Sequence, residues 1–145
     1  LISVKLVNKD NQAFSQSYYM TGLEPTALSD VQRTFEAPEY ETTVGIDLTK
    51  LDAAQIAAQI AQAKTMLPEG HSFKSVGSYQ IEEDVPAGNS VFNRNKTFGK
   101  QHTSFVVRFT EDGKETESSA GKTSYIYYEA EVTVEPDGTL SIEEN

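Results

Sequence analysis

The chain has 145 residues, a net charge of −10 and an apolar fraction of 37%, with mean hydropathy −0.47 and a pI near 4.6. A length of this order makes one ordinary domain, 1–145, able to bury roughly 70% of the surface its unfolded form exposes without covalent staples. The acidity repels phosphate backbones and anionic lipid and so argues against nucleic acid and membrane-surface partners, and the absence of cysteine excludes disulfides, thiolate catalysis and cysteine-based zinc sites.

In chain order, Ile2, Val4 and Leu6 alternate with Ser3 and Lys5, which predicts a first strand. Lys9 to Gln12 is a turn, and Phe14 to Met20 is its hairpin partner, with Phe14, Tyr18 and Met20 on one face. Residues 23–39 carry Pro25 and Pro38 without a clear period and read as an excursion, with one helical turn around Ser29 to Phe35. Tyr40, Thr42, Val44, Ile46 and Leu48 alternate with Glu41, Thr43, Gly45 and Asp47 and predict a third strand.

A helix follows, from about Thr49 to Leu67. Thr49 is its expected N-cap, Asp52 closes a capping box, and Pro68 and Gly70 stop it. Ile56, Ile60, Ala63 and Leu67 form one face, expected against a sheet, and Asp52, Gln55, Gln59 and Gln62 form a wet one. Ala54, Ala57, Ala58 and Ala61 line a third side suited to close approach. Beyond the helix, Phe73 to Ile81, Phe105 to Thr110, Thr123 to Glu135 and Thr139 to Glu143 read as strands, with turn signals at Asp112-Gly113 and Pro136-Asp137-Gly138. Ser118 to Lys122, rich in Ser, Gly and Lys, is the expected seam between a core and a C-terminal hairpin.

The order of elements predicts an α+β class. The expected architecture is a β-grasp-like sheet with one central helix packed across it and a C-terminal β-hairpin extension.

Catalytic motifs do not assemble. Gly121-Lys122-Thr123 resembles the end of a phosphate-binding loop, but Thr116 stands where that motif requires glycine, and the segment opens a strand. His71 and His102 are not at metal-ligand spacing, and no serine occupies a Gly-x-Ser-x-Gly elbow. The acidic runs Glu82-Glu83-Asp84 and Glu111-Asp112 lack a calcium-loop pattern and read as solvated loop charge. Asn95-Lys96-Thr97 matches a glycosylation sequon of the kind that recurs by chance. The expectation is therefore no catalytic residue, no metal and no cofactor.

Binding chemistry centres on tyrosine. Along Thr123 to Glu135, Ile126, Tyr128, Ala130, Val132 and Val134 share one parity, while Tyr125, Tyr127, Glu129 and Glu131 share the other. The second face is charged and therefore wet. Two readings of Tyr125 and Tyr127 stay open: ordinary β propensity with the rings lying over neighbours, or a patch that contacts sugar or protein. Arg94, Lys96 and Lys100 form the one positive cluster in the sequence.

Val4 to Gln12 resembles the opening strand and turn of mucin-binding repeats from lactobacillar cell-surface proteins. Tyr19-Met20-Thr21-Gly22 is similar to the end of their second strand, Leu67 to Phe73 to their helix exit, and Asn95 to Phe109 to their closing polar run and strand. The excursion at 23–39, His71 after the glycine, and residues 114–145 depart from that pattern. The resemblance implies an extracellular, Gram-positive, cell-wall-attached adhesin module that binds mucin glycans or other host proteins without catalysis or membrane insertion. It transfers no ligand-binding residue by position. The rivals are a structural spacer of a surface protein and a small hydrolase using loop carboxylates. The chain opens at Leu1 without methionine, which points to a piece of a longer protein.

Overall fold

A computed structural model describes residues 1–22, 24–36, 38–85 and 98–144. The loop expected at 86–89, the sequon at 95–97 and the cations at 94 and 96 lie outside these residues. Among the described residues the protein is α+β, mostly strand with one α-helix. Its chain divides into two compact units, Leu1–Gly45 with Glu83–Lys100, and Ile46–Glu82 with Gln101–Asn145. Among the described residues no helix is long and apolar enough to cross a membrane.

The first unit is built on β1 (Ile2–Val7), β2 (Ala13–Thr21), β3 (Glu24–Leu28) and β4 (Gln32–Arg33). β2 pairs antiparallel with β1 on one side and with β3 and then β4 on the other. The register Ile2↔Tyr18 and Leu6↔Phe14 places Ile2, Val4, Leu6, Phe14 and Tyr18 on one face, as the alternation predicts, while Val7 pairs with the buried Ala13 on the other. The connecting turn is held by Asn8, whose Oδ1 accepts from the amides of Asp10 and Gln12 at 3.0 Å each. Asn11 there takes φ +57°, a conformation that asparagine tolerates better than most residues.

Two expectations change in this unit. The 23–39 excursion carries strands rather than a helical turn, because β2 offers a second edge to pair. Pro25 is accommodated because β3 has a single neighbour, so one side of its backbone needs no donor. Residues 40–48 do not form a strand. Tyr40–Thr42 and Leu48–Lys50 are 3-10 turns, and Gly45 sits at φ +84°. The amides of Val44 and Gly45 donate to the two Glu83 carboxylate oxygens at 2.6 and 2.7 Å, so a side chain takes the place of a partner strand.

The second unit opens with α1 (Ala53–Lys64) and continues through β5 (His71–Glu83), β6 (Gln101–Glu111), β7 (Thr116–Ser119), β8 (Lys122–Tyr125), β9 (Tyr128–Val134) and β10 (Leu140–Glu144). The helix begins one turn later than the capping-box reading places it. Asp52 is itself the N-cap, accepting from the amides of Ala54 (2.8 Å) and Gln55 (3.4 Å), while Thr49 lies in the preceding 3-10 turn.

The main sheet has the order β10-β9-β6-β5. Phe105, Val107 and Phe109 of β6, Ala130 and Val132 of β9 and Ala63 of α1 form its buried core, with Ile60, Leu67, Phe73, Tyr79, Val134, Leu140 and Ile142 packed around them. The antiparallel register sets Phe105 opposite Val132 and Val107 opposite Ala130. The residues between them, Val106 and Arg108 on β6 and Glu129 and Glu131 on β9, occupy the other face.

Three further corrections follow from this packing. Ala54, Ala57, Ala58 and Ala61 are exposed; the stripe with more apolar area to bury docks instead, and Ala63 is the alanine that makes the close approach. Gln59 is half-buried rather than wet, because the Tyr79 ring stacks on Phe105 and its hydroxyl donates to Gln59 Oε1 at 2.6 Å. The last hairpin is no appendage: β9 runs between β6 and β10 and supplies Ala130 and Val132 to the core.

The single long strand expected from Thr123 to Glu135 is broken at Ile126 and Tyr127. Its first part, β8, pairs with β7 in a separate two-stranded sheet. Residues 118–122, the expected seam, form the tip of that hairpin within the second unit, where Ala120 at φ +50° and Gly121 at φ +77° make the two-residue turn between Ser119 and Lys122.

The β9–β10 turn is fastened by Asp137, whose Oδ1 accepts from Thr139 through its amide at 2.9 Å and its hydroxyl at 2.6 Å. Those bonds hold the Asp137 carboxyl below the ordinary aspartate range, and the same arrangement with Thr49 lowers Asp47. A lowered folded pKa favours the fold above the unfolded value, about 3.9, and that contribution is lost as pH falls through the folded value. Thr139→Ala is expected to move the NMR titration of Asp137 upward; an unmoved titration would contradict this account of the turn.

Candidate binding face

The face of the main sheet opposite the helix carries a cross-strand ion pair. Arg108 of β6 stands directly across from Glu129 of β9, and its Nε donates to Glu129 Oε1 at 2.7 Å. That bond is the main reason the guanidinium is held above its ordinary pKa. The Arg108 Cζ lies 5.1 Å from the centre of the Tyr127 ring, within reach of a cation–π contact. On the neighbouring strand, β5 has Gly77. A Cβ at that position would meet Arg108 Nε and Val106 Cγ1 at 3.3 Å each, so the missing side chain leaves room for the arginine to lie across the sheet. Both charged side chains remain more than a third exposed, and such an ion pair contributes little stability on its own.

The two tyrosines expected on this surface are both solvent-exposed, Tyr125 at 81% and Tyr127 at 50%. They do not form paired plates on one continuous strand. Tyr125 belongs to β8 and pairs with Thr116 of β7, whereas Tyr127 lies in the connection leading into β9, beneath Arg108. Parity along the chain groups them; the break at Ile126, whose amide donates to the Glu115 carbonyl at 2.9 Å, leaves Tyr125 in the two-stranded sheet and Tyr127 outside it. Arg108 and Gly77 escape a reading of motifs because neither belongs to one. The usable signal was a glycine inside a strand, which marks a close approach.

Tyr128 turns instead toward Phe109 and His71. The His71 ring meets Phe109 edge-on at 5.5 Å and Tyr128 at 5.9 Å, and its Nδ1 lies 3.1 Å from the Glu69 carbonyl. His71 is thus part of an aromatic cluster in contact with the core.

Several of the acidic groups are committed to local structure. Glu83 holds Val44 and Gly45, Glu111 pairs with Lys114 at 2.7 Å, and Asp112 accepts from the Ser72 hydroxyl at 2.6 Å. A cleft of about 320 Å³ beside the helix N-terminus is bordered by Asp47, Asp52 and Glu135 above apolar Ile56, Ile81 and Val134. There too Asp47 and Asp52 cap turns, and Glu135 accepts from Ser141 Oγ at 2.9 Å. Among the described residues no group of three potential metal ligands comes together. Gly121-Lys122-Thr123 lies in the β7–β8 hairpin, without the helix N-terminus that phosphate binding needs. No family model, curated protein or solved structure matches the chain.

Proposed function

We propose that the chain is a non-catalytic binding module of a bacterial surface adhesin that contacts mucin glycans or other host glycoproteins through Tyr125 and Tyr127. The observation that carries the reading is the exposure of both rings on the second unit, one of them ordered against Arg108. Exposed aromatic faces stack on the apolar faces of sugars, and an ordered ring loses less entropy on binding than a free one. The commitment of Asp47, Asp52 and Glu135 to caps and turns favours binding over hydrolysis, which needs a proton donor and a base aimed at one bond. The extracellular, cell-wall-attached placement and the kinship with mucin-binding repeats rest on the four sequence stretches that resemble them. The β-grasp-like arrangement belongs to the same proposal. A helix packed on a four-stranded sheet supports it; the first hairpin, in a sheet of its own, does not. Binding to immobilised mucin tests the function. Saturable wild-type binding that falls in the Tyr125→Ala/Tyr127→Ala variant is expected, and no wild-type binding would leave a spacer as the better account.

A further inference from the structure

We infer that Arg108 is an oxyanion receptor, and that the glycans this module binds are acidic ones whose carboxylate or sulfate docks on the guanidinium beside Tyr127. The inference rests on the glycan-binding reading and gives it a chemical class.

Arginine has five N–H donors in a planar fork, which suits the two oxygens of a carboxylate. Here the hydrogen bond to Glu129 runs through Nε, which leaves the terminal nitrogens to meet a ligand. Three features fix the plane before any ligand arrives: the bond to Glu129, the Tyr127 ring beneath, and the space over Gly77. A glycine inside a 13-residue strand weakens that strand, and the crossing arginine gives it a reason to be there. A fixed guanidinium loses little side-chain entropy on binding. The surrounding sheet face carries Glu129 and Glu131, and the whole chain stands at −10. Long-range attraction therefore does not draw an anion in; short-range, charge-assisted hydrogen bonds must hold it.

The test compares immobilised mucin, sialidase-treated mucin and chemically desulfated mucin against wild type, Arg108→Gln and Glu129→Gln, all with melting curves to confirm folding. Wild-type binding should drop about tenfold when the acidic group is removed, and whichever treatment produces the drop identifies carboxylate or sulfate as the source. Arg108→Gln should lose about as much on untreated mucin and be indifferent to either treatment. Glu129→Gln weakens the bond that holds the guanidinium plane but leaves the guanidinium in place, so whatever binding it keeps should still fall on the treatment that lowers the wild type, unlike that of Arg108→Gln. If Arg108 were only half of a cross-strand ion pair, Glu129→Gln would behave like Arg108→Gln, and that result overturns the inference. So does wild-type binding unaffected by both treatments, or full binding by Arg108→Gln; in each case the glycan-binding function itself survives. Absence of any wild-type binding overturns the function and this inference together.

Discussion

Phe105→Ala is expected to destabilise the second unit by about 3–5 kcal/mol, the range for truncating a buried phenylalanine. Phe105 is 1% exposed. It lies opposite Val132 on β9 and stacks on Tyr79 at 5.5 Å with the planes 18° apart. Truncation removes the transfer free energy of the ring and leaves a cavity at the centre of the sheet. It also removes the support that aims the Tyr79 hydroxyl at Gln59, so the helix loses a polar tie as well as an apolar contact. Domains of this size are stable by only about 5–15 kcal/mol in all, so the loss is a large fraction of the whole. A denaturant melt measures it. A shift below about 1 kcal/mol would mean that α1 and the sheet do not share the core described here.

Replacing both Tyr125 and Tyr127 by alanine is expected to weaken mucin binding by about tenfold or more while leaving the melt nearly unchanged. Each aromatic contact contributes about 0.5–1.5 kcal/mol beyond its buried area, and 1.4 kcal/mol is a factor of ten. Both rings are exposed, so removing them opens no cavity. The electrostatics sharpen the expectation. An acidic glycan meets a chain at −10, and that repulsion weakens as ordinary carboxyl groups protonate near pH ~4. Salt screens it over a Debye length of about 8–10 Å. Binding should therefore be tighter at pH 4–5 than at pH 7 and should survive moderate salt. Collapse in moderate salt would mean that long-range attraction rather than stacking and short-range hydrogen bonds holds the glycan, and undiminished binding by the double variant would remove the tyrosines from the account.

Local periodicity made the main sheet and its helix legible in the sequence. Ile56, Ile60, Ala63 and Leu67 recur at helical spacing; Ile60, Ala63 and Leu67 pack in or against the core, and Ile56 is half-buried beside the cleft. Ala130 and Val132 share a parity that ends in the core. The same reasoning misread residues 40–48, where alternation is genuine but its consequence depends on Glu83, nearly forty residues away, supplying two carboxylate oxygens in place of a strand. It also ran β8 into β9, since parity carries through Ile126 and only the pairing of β7 with β8 shows the break. The candidate site was half legible. Tyr127 was visible as an exposed aromatic, but its partners Arg108, Glu129 and Gly77 come together through strand register, and no spacing rule in a single sequence specifies register.

The central claim is that the face bearing Tyr127 and Arg108 is where an acidic glycan binds. Backbone amide chemical-shift mapping during titration with sialylated mucin oligosaccharides tests it most directly. Shifts should concentrate at Gly77, Val106 to Arg108, Tyr125 and Tyr127 to Glu131, with the Arg108 Nε–H resonance among the most affected. Shifts confined to the cleft lined by Asp47, Asp52 and Glu135, or no shifts at saturating sugar, would contradict the claim.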